Sequence, residues 1–473
     1  MPHVVPTYKP LIARKYLWLF LGRIMPLLSL FVITIIYSRQ LSYADYGTFQ
    51  SVWMYTNIIN VVISFGLSSI ILSTNLSLLF SFAEKHKRTI TTFYIVLWII
   101  GLTAFFFLAR NFSIGVKFLM IVFMIIQNII TVAETFLIKR KKERLSFIIN
   151  SFYAILFFGL HLYILFSGYS LSNLILGISV VSILKLIAIL SVPGKTETYA
   201  PVAEEKHFMK HWGYLGLNEI FGIISKWIDK IFLLYLVSAS DFAIFFNGSF
   251  EIPLFGLLIS VAGSFMLIEF SENLQLKSRI VDIFKENFII LSGIVFPLFF
   301  FLLFFREEIF SFAFKNKYDA SVPIFAISIL ILPLRINNYS AILQCFSEGK
   351  KIMAGSLIDI ILALALMIIL YPLMGSRGIV LSIVISTYCQ SFYFLWHSAK
   401  VLNVKVYSLL PIKNLAKKFL TLLALYFIMS LWLNHFSIIL KLAVGALLTS
   451  ITVIAGTWSY VKTFFKKNYD MVS

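Results

Sequence analysis

The chain has 473 residues, of which 60% are hydrophobic and only 13% charged, with a formal net charge of +19. A soluble globular domain carries about twice that charged fraction, so a water-facing surface cannot be built from this composition. Basic charge in a soluble chain points to nucleic acid, but here it sits in short connections between apolar runs, where it reads as membrane topology and excludes a nucleic-acid partner.

The predicted spanning helices, in chain order, are 16–37, 49–74, 90–109, 115–138, 146–167, 171–191, 213–237, 242–268, 286–305, 321–344, 353–374, 377–398, 415–434 and 438–461. Most approach the ~20 residues that cross about 30 Å of hydrocarbon as a helix. The backbone must satisfy itself there, which forces helices. Alternating barrel-type strands do not fit such unbroken runs. The first run follows Arg14 and Lys15 and contains Arg23. It lacks a small-residue cleavage site, so it is read as a retained helix rather than a signal peptide. The expected fold is an all-α polytopic membrane protein with about 14 helices.

Orientation follows from the basic residues. With the N-terminus in the cytoplasm, 27 of the 40 Lys and Arg fall on the cytoplasmic side, eight on the other and five within spans. That bias predicts cytoplasmic N- and C-termini. The longest connection, 192–212, is polar and cytoplasmic in this topology. It divides the chain into a six-helix bundle at 1–191, the linker 192–212, a second six-helix bundle at 213–400, and two further helices with a cytoplasmic tail at 401–473. An internal echo supports the division. Leu41-Ser42-Tyr43-Ala44-Asp45-Tyr46-Gly47-Thr48-Phe49 resembles Val237-Ser238-Ala239-Ser240-Asp241-Phe242-Ala243-Ile244-Phe245, at an offset of 196 residues. Six helices per half preserve orientation, so the repeats would be parallel. At the same offset Arg23 matches Glu219. Asp45 and Asp241 sit at helix starts, where capping is their expected role.

Charges at membrane depth are the candidates for function, because each costs at least ~2.5–3.5 kcal/mol at a helix centre. Lys226, Asp229 and Lys230 share a face of the seventh helix through i, i+3 and i, i+4 spacing, and Glu219 lies two turns away. One carboxylate beside two ammoniums leaves net positive charge, which suits an anionic ligand or a further acidic partner; an internal ion pair that lets the helix insert is the structural alternative. Arg23 precedes Pro26, a potential kink. Its planar fork suits a phosphate, and snorkelling to the interface explains it equally. Arg335, with Pro333, Asn337 and Asn338, makes the tenth helix polar and kinked. Lys185, a turn or so from the end of the sixth helix, is expected to snorkel. Glu269 and Asp359 are expected at the interface. Glu134 and Glu251 lie deeper, where a carboxylate can carry a coupling proton or bind sodium.

Other chemistry is excluded. No GxxxxGK[ST] loop is present, and no HExxH or His/Cys cluster indicates a metal or cofactor. Cys345 and Cys389 fall in apolar segments and form no disulfide framework. The longest outer loop, Arg306 to Ser321, is too short for a glycosyltransferase or polymerase site, so no enzyme activity is expected.

The 6 + 6 + 2 layout, Gly22-Arg23, Leu41-Ser42-x-Ala44-Asp45-Tyr46-Gly47, Phe65-Gly66-Leu67-Ser68-Ser69 and Ser225-Lys226-x-Ile228-Asp229-Lys230 together resemble the Wzx-type O-antigen and polysaccharide flippases. These form a branch of the multidrug/oligosaccharidyl-lipid/polysaccharide exporter superfamily. The resemblance covers nearly the whole length, although none of these segments is a strict motif, and the second repeat has Ala243 where the first has Gly47. It implies two six-helix bundles around a central cavity and alternating access. The implied substrate is an oligosaccharide repeat unit on polyprenyl pyrophosphate. It would be moved to the outer leaflet of the bacterial inner membrane for O-antigen, capsule or exopolysaccharide synthesis. A cationic cavity of Arg23, Lys226, Lys230 and Arg335, supported by Asp229, Glu219 and Asn337, agrees with that. The implied partners are the lipid-linked oligosaccharide, membrane lipids and polysaccharide polymerase machinery, with H+ or Na+ as coupling ion. The competing readings are a cation-coupled drug or metabolite antiporter and an integral-membrane polymerase or ligase. The loop Ser81-Phe-Ala-Glu84-Lys-His-Lys-Arg88 does not match the Gly/Asp/Arg-rich loop of major-facilitator antiporters.

Overall fold

The computed structural model describes residues 10–73, 76–140, 142–192, 206–234, 236–249, 252, 255–256, 263, 266–267, 269–270, 275–346 and 348–469. These residues form helices and turns with no strand. The chain divides into two compact units, Met1–Trp227 and Ile228–Ser473.

In the first unit α1 (Pro10–Gln40) is followed by α2 (Tyr43–Ser64), α3 (Leu67–Ser73), α4 (Leu76–Lys85), α5 (Lys87–Leu108), α6 (Ile114–Lys139), α7 (Glu143–Phe166) and α8 (Leu171–Leu190). Next comes α9 (Lys206–Leu234), whose last residues belong to the second unit. Most of the predicted 192–212 connection lies outside the described residues, but from Lys206 onward it is helical. Serine side chains start three of these helices: Ser42, Ser113 and Ser170 each accept a hydrogen bond from the third helical N–H. That satisfies one of the donors every helix start leaves open. α1 lies along α7, with Trp18 and Phe147 rings 5.0 Å apart. α6 and α7 both pack on α8.

The second unit holds α10 (Ala239–Gly248), α11 (Lys277–Phe304), α12 (Arg306–Phe314), α13 (Val322–Ser328), α14 (Ala341–Cys345), α15 (Gly349–Met374), α16 (Ser376–Leu402), α17 (Ile412–Trp432) and α18 (Ile438–Tyr469). α15 and α16 form an antiparallel pair. α11 is embraced by α17 and α18: Phe300 lies 4.9 Å from Phe419 and 6.1 Å from Tyr426. A Cβ on Gly293 would stand 2.9 Å from the Gly456 carbonyl oxygen. Two glycines thus let α11 and α18 approach at backbone distance, as helices do where lipid supplies no hydrophobic drive.

Ten helices among the described residues are long and apolar enough to cross a membrane, and all ten coincide with predicted spans. The other four predicted spans differ for physical reasons. The second breaks at Phe65-Gly66, between α2 and α3, and is followed by the unpredicted short helix α4. The seventh, α9, is long but charge-rich. The eighth is described only in part. The tenth is broken into a 3-10 turn (Asp319–Ser321), α13, a 3-10 segment (Ile329–Leu334) and α14. Pro333 closes that 3-10 segment and removes a backbone donor. The predicted outer loop 306–321 contains a further helix, α12.

Large apolar side chains lie open on the lateral surface, among them Ile114, Phe166 and Leu373, each more than 70% exposed. A soluble monomer does not present such a face; hydrocarbon covers it. The chain is a multi-pass membrane protein.

Candidate functional site

The first unit buries a charged cluster among α6, α7 and α8. On α6, Gln127, Thr131 and Glu134 follow i, i+4, i+7 spacing and share one face. On α7, Ser146, Asn150 and Tyr153 do the same, and on α8 Ser182 and Lys185 share a face at i, i+3. The structure brings these three stripes together. Lys185 Nζ lies 3.0 Å from Glu134 Oε2. Asn150 Nδ2 and Ser146 Oγ donate to the other carboxylate oxygen, Oε1. The Lys185 ammonium also sits 4.8 Å from the Tyr153 ring centroid, and Gln127 donates to Ser182 at 2.8 Å. The Lys185 and Glu134 side chains are 10% and 20% exposed. Both Glu134 oxygens are therefore engaged, and its immediate cation is a side chain of the same unit. Lys185 was expected to snorkel. It turns inward because a carboxylate and an aromatic face are within reach there and together outweigh the interface.

A second constellation surrounds the break after α2. Phe65 adopts the left-handed conformation (φ 41°), as does Gly66 (φ 72°). The carbonyls left open by the break receive side-chain donors, which hydrocarbon would not supply. Trp212 Nε1 donates to the Phe65 carbonyl at 2.9 Å, and Tyr94 Oη donates to the Ser64 carbonyl at 3.4 Å. Ser69 Oγ donates to Glu219 on α9. A Cβ on Gly66 would fall 2.7 Å from the Gly216 nitrogen, and one on Gly216 would fall 2.5 Å from Phe65 Cδ1. The first turns of α9 are thereby locked onto the break. Glu219 is a member of this lock. Trp212, which sequence reasoning passed over, is its keystone; the only sequence signal was a lone Trp at the start of a glycine-rich helix.

In the second unit Asp229 and Lys230 are buried and pair with each other at 2.9 Å. Lys230 also lies 5.9 Å from the Phe246 ring centroid. The second carboxylate oxygen, Asp229 Oδ1, has no hydrogen bond among the described residues. The shared face predicted for Lys226, Asp229 and Lys230 thus splits: Lys226 is exposed, against Trp227 at 5.8 Å, and Asp229 takes its chain neighbour Lys230. Asn337 is 3% exposed. Its oxygen accepts from Asn287 at 2.8 Å and its amide donates to the Phe284 carbonyl at 3.2 Å. It staples the broken tenth span to α11. Arg335 is half-buried at the end of the 3-10 segment, its backbone N–H donating to Leu332. Asp359, expected at the interface, is 5% exposed in the middle of α15. An apolar helix gives no sign of which side faces inward, and that side is where Asp359 points. Glu251 lies outside the described residues. Arg23 is exposed on α1, which runs unbroken through Pro26.

The second unit also holds an acidic pocket of about 470 Å³, lined by Glu307, Glu308, Asn316 and Asp319. Lys441 reaches Glu308 at 2.9 Å. Nearby, in the turn after α12, burial lowers the affinity of the Lys317 amine for its proton.

The junction that repeats in sequence repeats in geometry. Ser42 (φ −60°, ψ 160°) accepts from the Asp45 N–H at 3.1 Å, and its hydroxyl donates to the Asp45 carboxylate at 2.6 Å. Ser238 (φ −66°, ψ 161°) does the same with Asp241 at 3.2 and 2.8 Å. Tyr46 and Phe242, and Phe49 and Phe245, are all buried to within 1%. The serine is the cap in each unit, and the aspartate, expected to cap, is its partner at the third position.

No family model matches the sequence, and no curated protein does. Solved structures do match. The lipid II flippase MurJ, in an inward closed conformation, has a TM-score of 0.68 at 16% identity, covering 94% of this chain and 100% of that one. An inward-facing multidrug-resistance MATE-family transporter of the MOP superfamily has a TM-score of 0.58 at 14% identity, covering 81% and 98%. A MOP-superfamily transporter from Pyrococcus furiosus has a TM-score of 0.56 at 16% identity, covering 83% and 95%. The chain has the fold of these transporters.

Proposed function

We propose that the protein is a flippase. It translocates a polyprenyl-pyrophosphate-linked oligosaccharide from the inner to the outer leaflet of the bacterial inner membrane by alternating access, with both termini in the cytoplasm. The observation that carries this reading is the extent of the match to a lipid flippase. It spans the full length of that protein at a TM-score of 0.68, against 0.58 for the MATE transporter. A bare pyrophosphate cannot enter hydrocarbon unaided; basic side chains in a wet passage lower that cost while the lipid tail stays in the bilayer. Among the basic candidates Arg23 and Lys226 are exposed and able to meet a headgroup, whereas Lys230 is committed to Asp229. A proton or sodium gradient drives the cycle in this reading, and polysaccharide polymerase machinery takes up the product.

The test is a gene deletion followed by sidedness of the lipid-linked repeat units. Loss of a flippase leaves them facing the cytoplasm. Single units accumulating on the outer face would replace the reading by a polymerase. A second reading, a cation-coupled drug antiporter, is favoured by the MATE match; it predicts altered drug sensitivity with normal surface polysaccharide. Lys226→Ala is expected to abolish surface polysaccharide while the protein still inserts, and normal polysaccharide in that variant removes Lys226 from substrate contact.

A further inference from the structure

A crevice of about 470 Å³ opens on the first unit between α4, α6 and the end of α8. Its floor is a stripe of α6 at i, i+4 spacing, Asn128, Val132, Phe136 and Arg140. Phe80 of α4 forms one wall, its ring stacked on Phe136 at 5.9 Å, and Leu190 of α8 forms the other. None of these side chains belongs to the charged cluster around Glu134.

Its dimensions are those of one leaflet. Arg140 immediately follows α6, whose apolar span ends at Lys139, so it stands at headgroup level. Asn128 is twelve residues deeper, about 18 Å along the helix. Half of a ~30 Å hydrocarbon core is about 15 Å. The crevice thus runs from the headgroup layer to near the bilayer midplane. Its lip is apolar and open, with Ile129 46% and Leu190 66% exposed. Arg140 lines its mouth, within the run Lys139 to Arg144, whose single acid is Glu143. Lys139 is turned to the Leu72 carbonyl at 2.7 Å, whereas Arg140 is exposed.

We infer that this crevice is a binding site for an anionic glycerophospholipid, one acyl chain lying along the α6 stripe and the phosphate meeting Arg140. The apolar length selects a chain of one leaflet, and the charge at the mouth selects an anionic headgroup. The site does not depend on which substrate is carried, so its failure and that of the flippase reading are separable.

The experiment uses the full-length protein in phosphatidylcholine nanodiscs doped with phosphatidylglycerol that carries a diazirine near the end of its acyl chain. Adducts are mapped by peptide mass spectrometry. They should concentrate on residues 128–133, the deep end of the stripe. Arg140→Gln should lower their yield about fivefold, the effect of one basic residue near a membrane surface. Ala133→Trp, which fills the crevice, should abolish them, while Ile125→Trp, of equal bulk on exposed α6 surface outside it, should leave them intact. Uniform labelling of α6 out to Phe118 would overturn the inference. So would equal yield from a phosphatidylcholine probe, or unchanged yield in Arg140→Gln. Preferential labelling by a polyprenyl-phosphate probe would overturn the choice of occupant.

Discussion

Replacing Lys185 by Met should destabilise the first unit by about 3 kcal/mol. Removing one partner of a buried pair typically costs ~3–5 kcal/mol, because the remaining charge is stranded. The lower end applies here because Glu134 is 20% exposed and keeps its bonds from Asn150 and Ser146. Glu134→Gln should cost less. The freed Lys185 lies five residues from the end of α8, and its long stem can carry the ammonium toward the interface, a route closed to a short carboxylate side chain. The double variant, with neither charge, should fall within about 1 kcal/mol of Glu134→Gln alone. The coupling would then exceed ~1.5 kcal/mol, in the range of residues in direct contact. Reversible unfolding in mixed micelles of mild detergent and dodecyl sulfate measures each value. Two single variants within ~0.5 kcal/mol of the parent, adding simply in the double, would refute the pair as a buried interaction.

Gly66→Ala should sharply reduce folded yield, since it combines a positive φ with a Cβ 2.7 Å from the Gly216 backbone; Gly168→Ala, with a positive φ but open space around it, should cost only about 1 kcal/mol. Fluorescence size-exclusion chromatography separates the two, and equal yields would dissolve the lock between the α2 break and α9. Ser42→Ala and Ser238→Ala should each cost about 1 kcal/mol, nearly equally, because their bonds differ by no more than 0.2 Å; a large inequality in thermal unfolding would mean the two junctions are not equivalent.

What was legible in the sequence was whatever a helix carries by itself. Apolar length located ten spans to within a few residues at most ends, although α11 begins nine residues before the predicted 286. Pro333 and the Asn pair flagged the broken tenth span, and the Ser-x-x-Asp echo located the same helix start in both units. Rotation was not legible. Lys185 and Asp359 were both assigned to the interface, and both face inward. Their helices are apolar nearly all round, so periodicity gave no inner face, and the deciding groups for Lys185 lie on α6 and α7, 51 and 32 residues away. The break after α2 was marked only by the resemblance, which has Phe65-Gly66-Leu67-Ser68-Ser69 end the second helix, while apolar length ran the span on to 74. Phe65 takes a left-handed conformation that sequence assigns to glycine or asparagine, and it does so because Trp212 and Tyr94, also distant in sequence, supply donors for the carbonyls that the break opens.

The repeat sharpens where function should be sought. Scaffold positions agree between the units: the serine cap, its aspartate, and the aromatic pair buried behind them. The buried charges do not. The first unit places Glu134 and Lys185 on α6 and α8, where they satisfy each other with help from α7. The second places Asp229 and Lys230 side by side on α9, where adjacent residues point in different directions and the carboxylate keeps one oxygen with no hydrogen bond among the described residues. A duplicated frame with symmetric charges would be explained by packing alone. Charges retained at membrane depth against a cost of several kcal/mol, and arranged differently in two otherwise similar frames, are explained by packing only where every polar atom is satisfied. Among the described residues that condition is closely approached around Glu134 and is not met at Asp229. The residues around Asp229, including exposed Lys226 one turn earlier on the same helix, are therefore the stronger place to look for transport chemistry, and the Glu134 cluster the stronger place to look for stability.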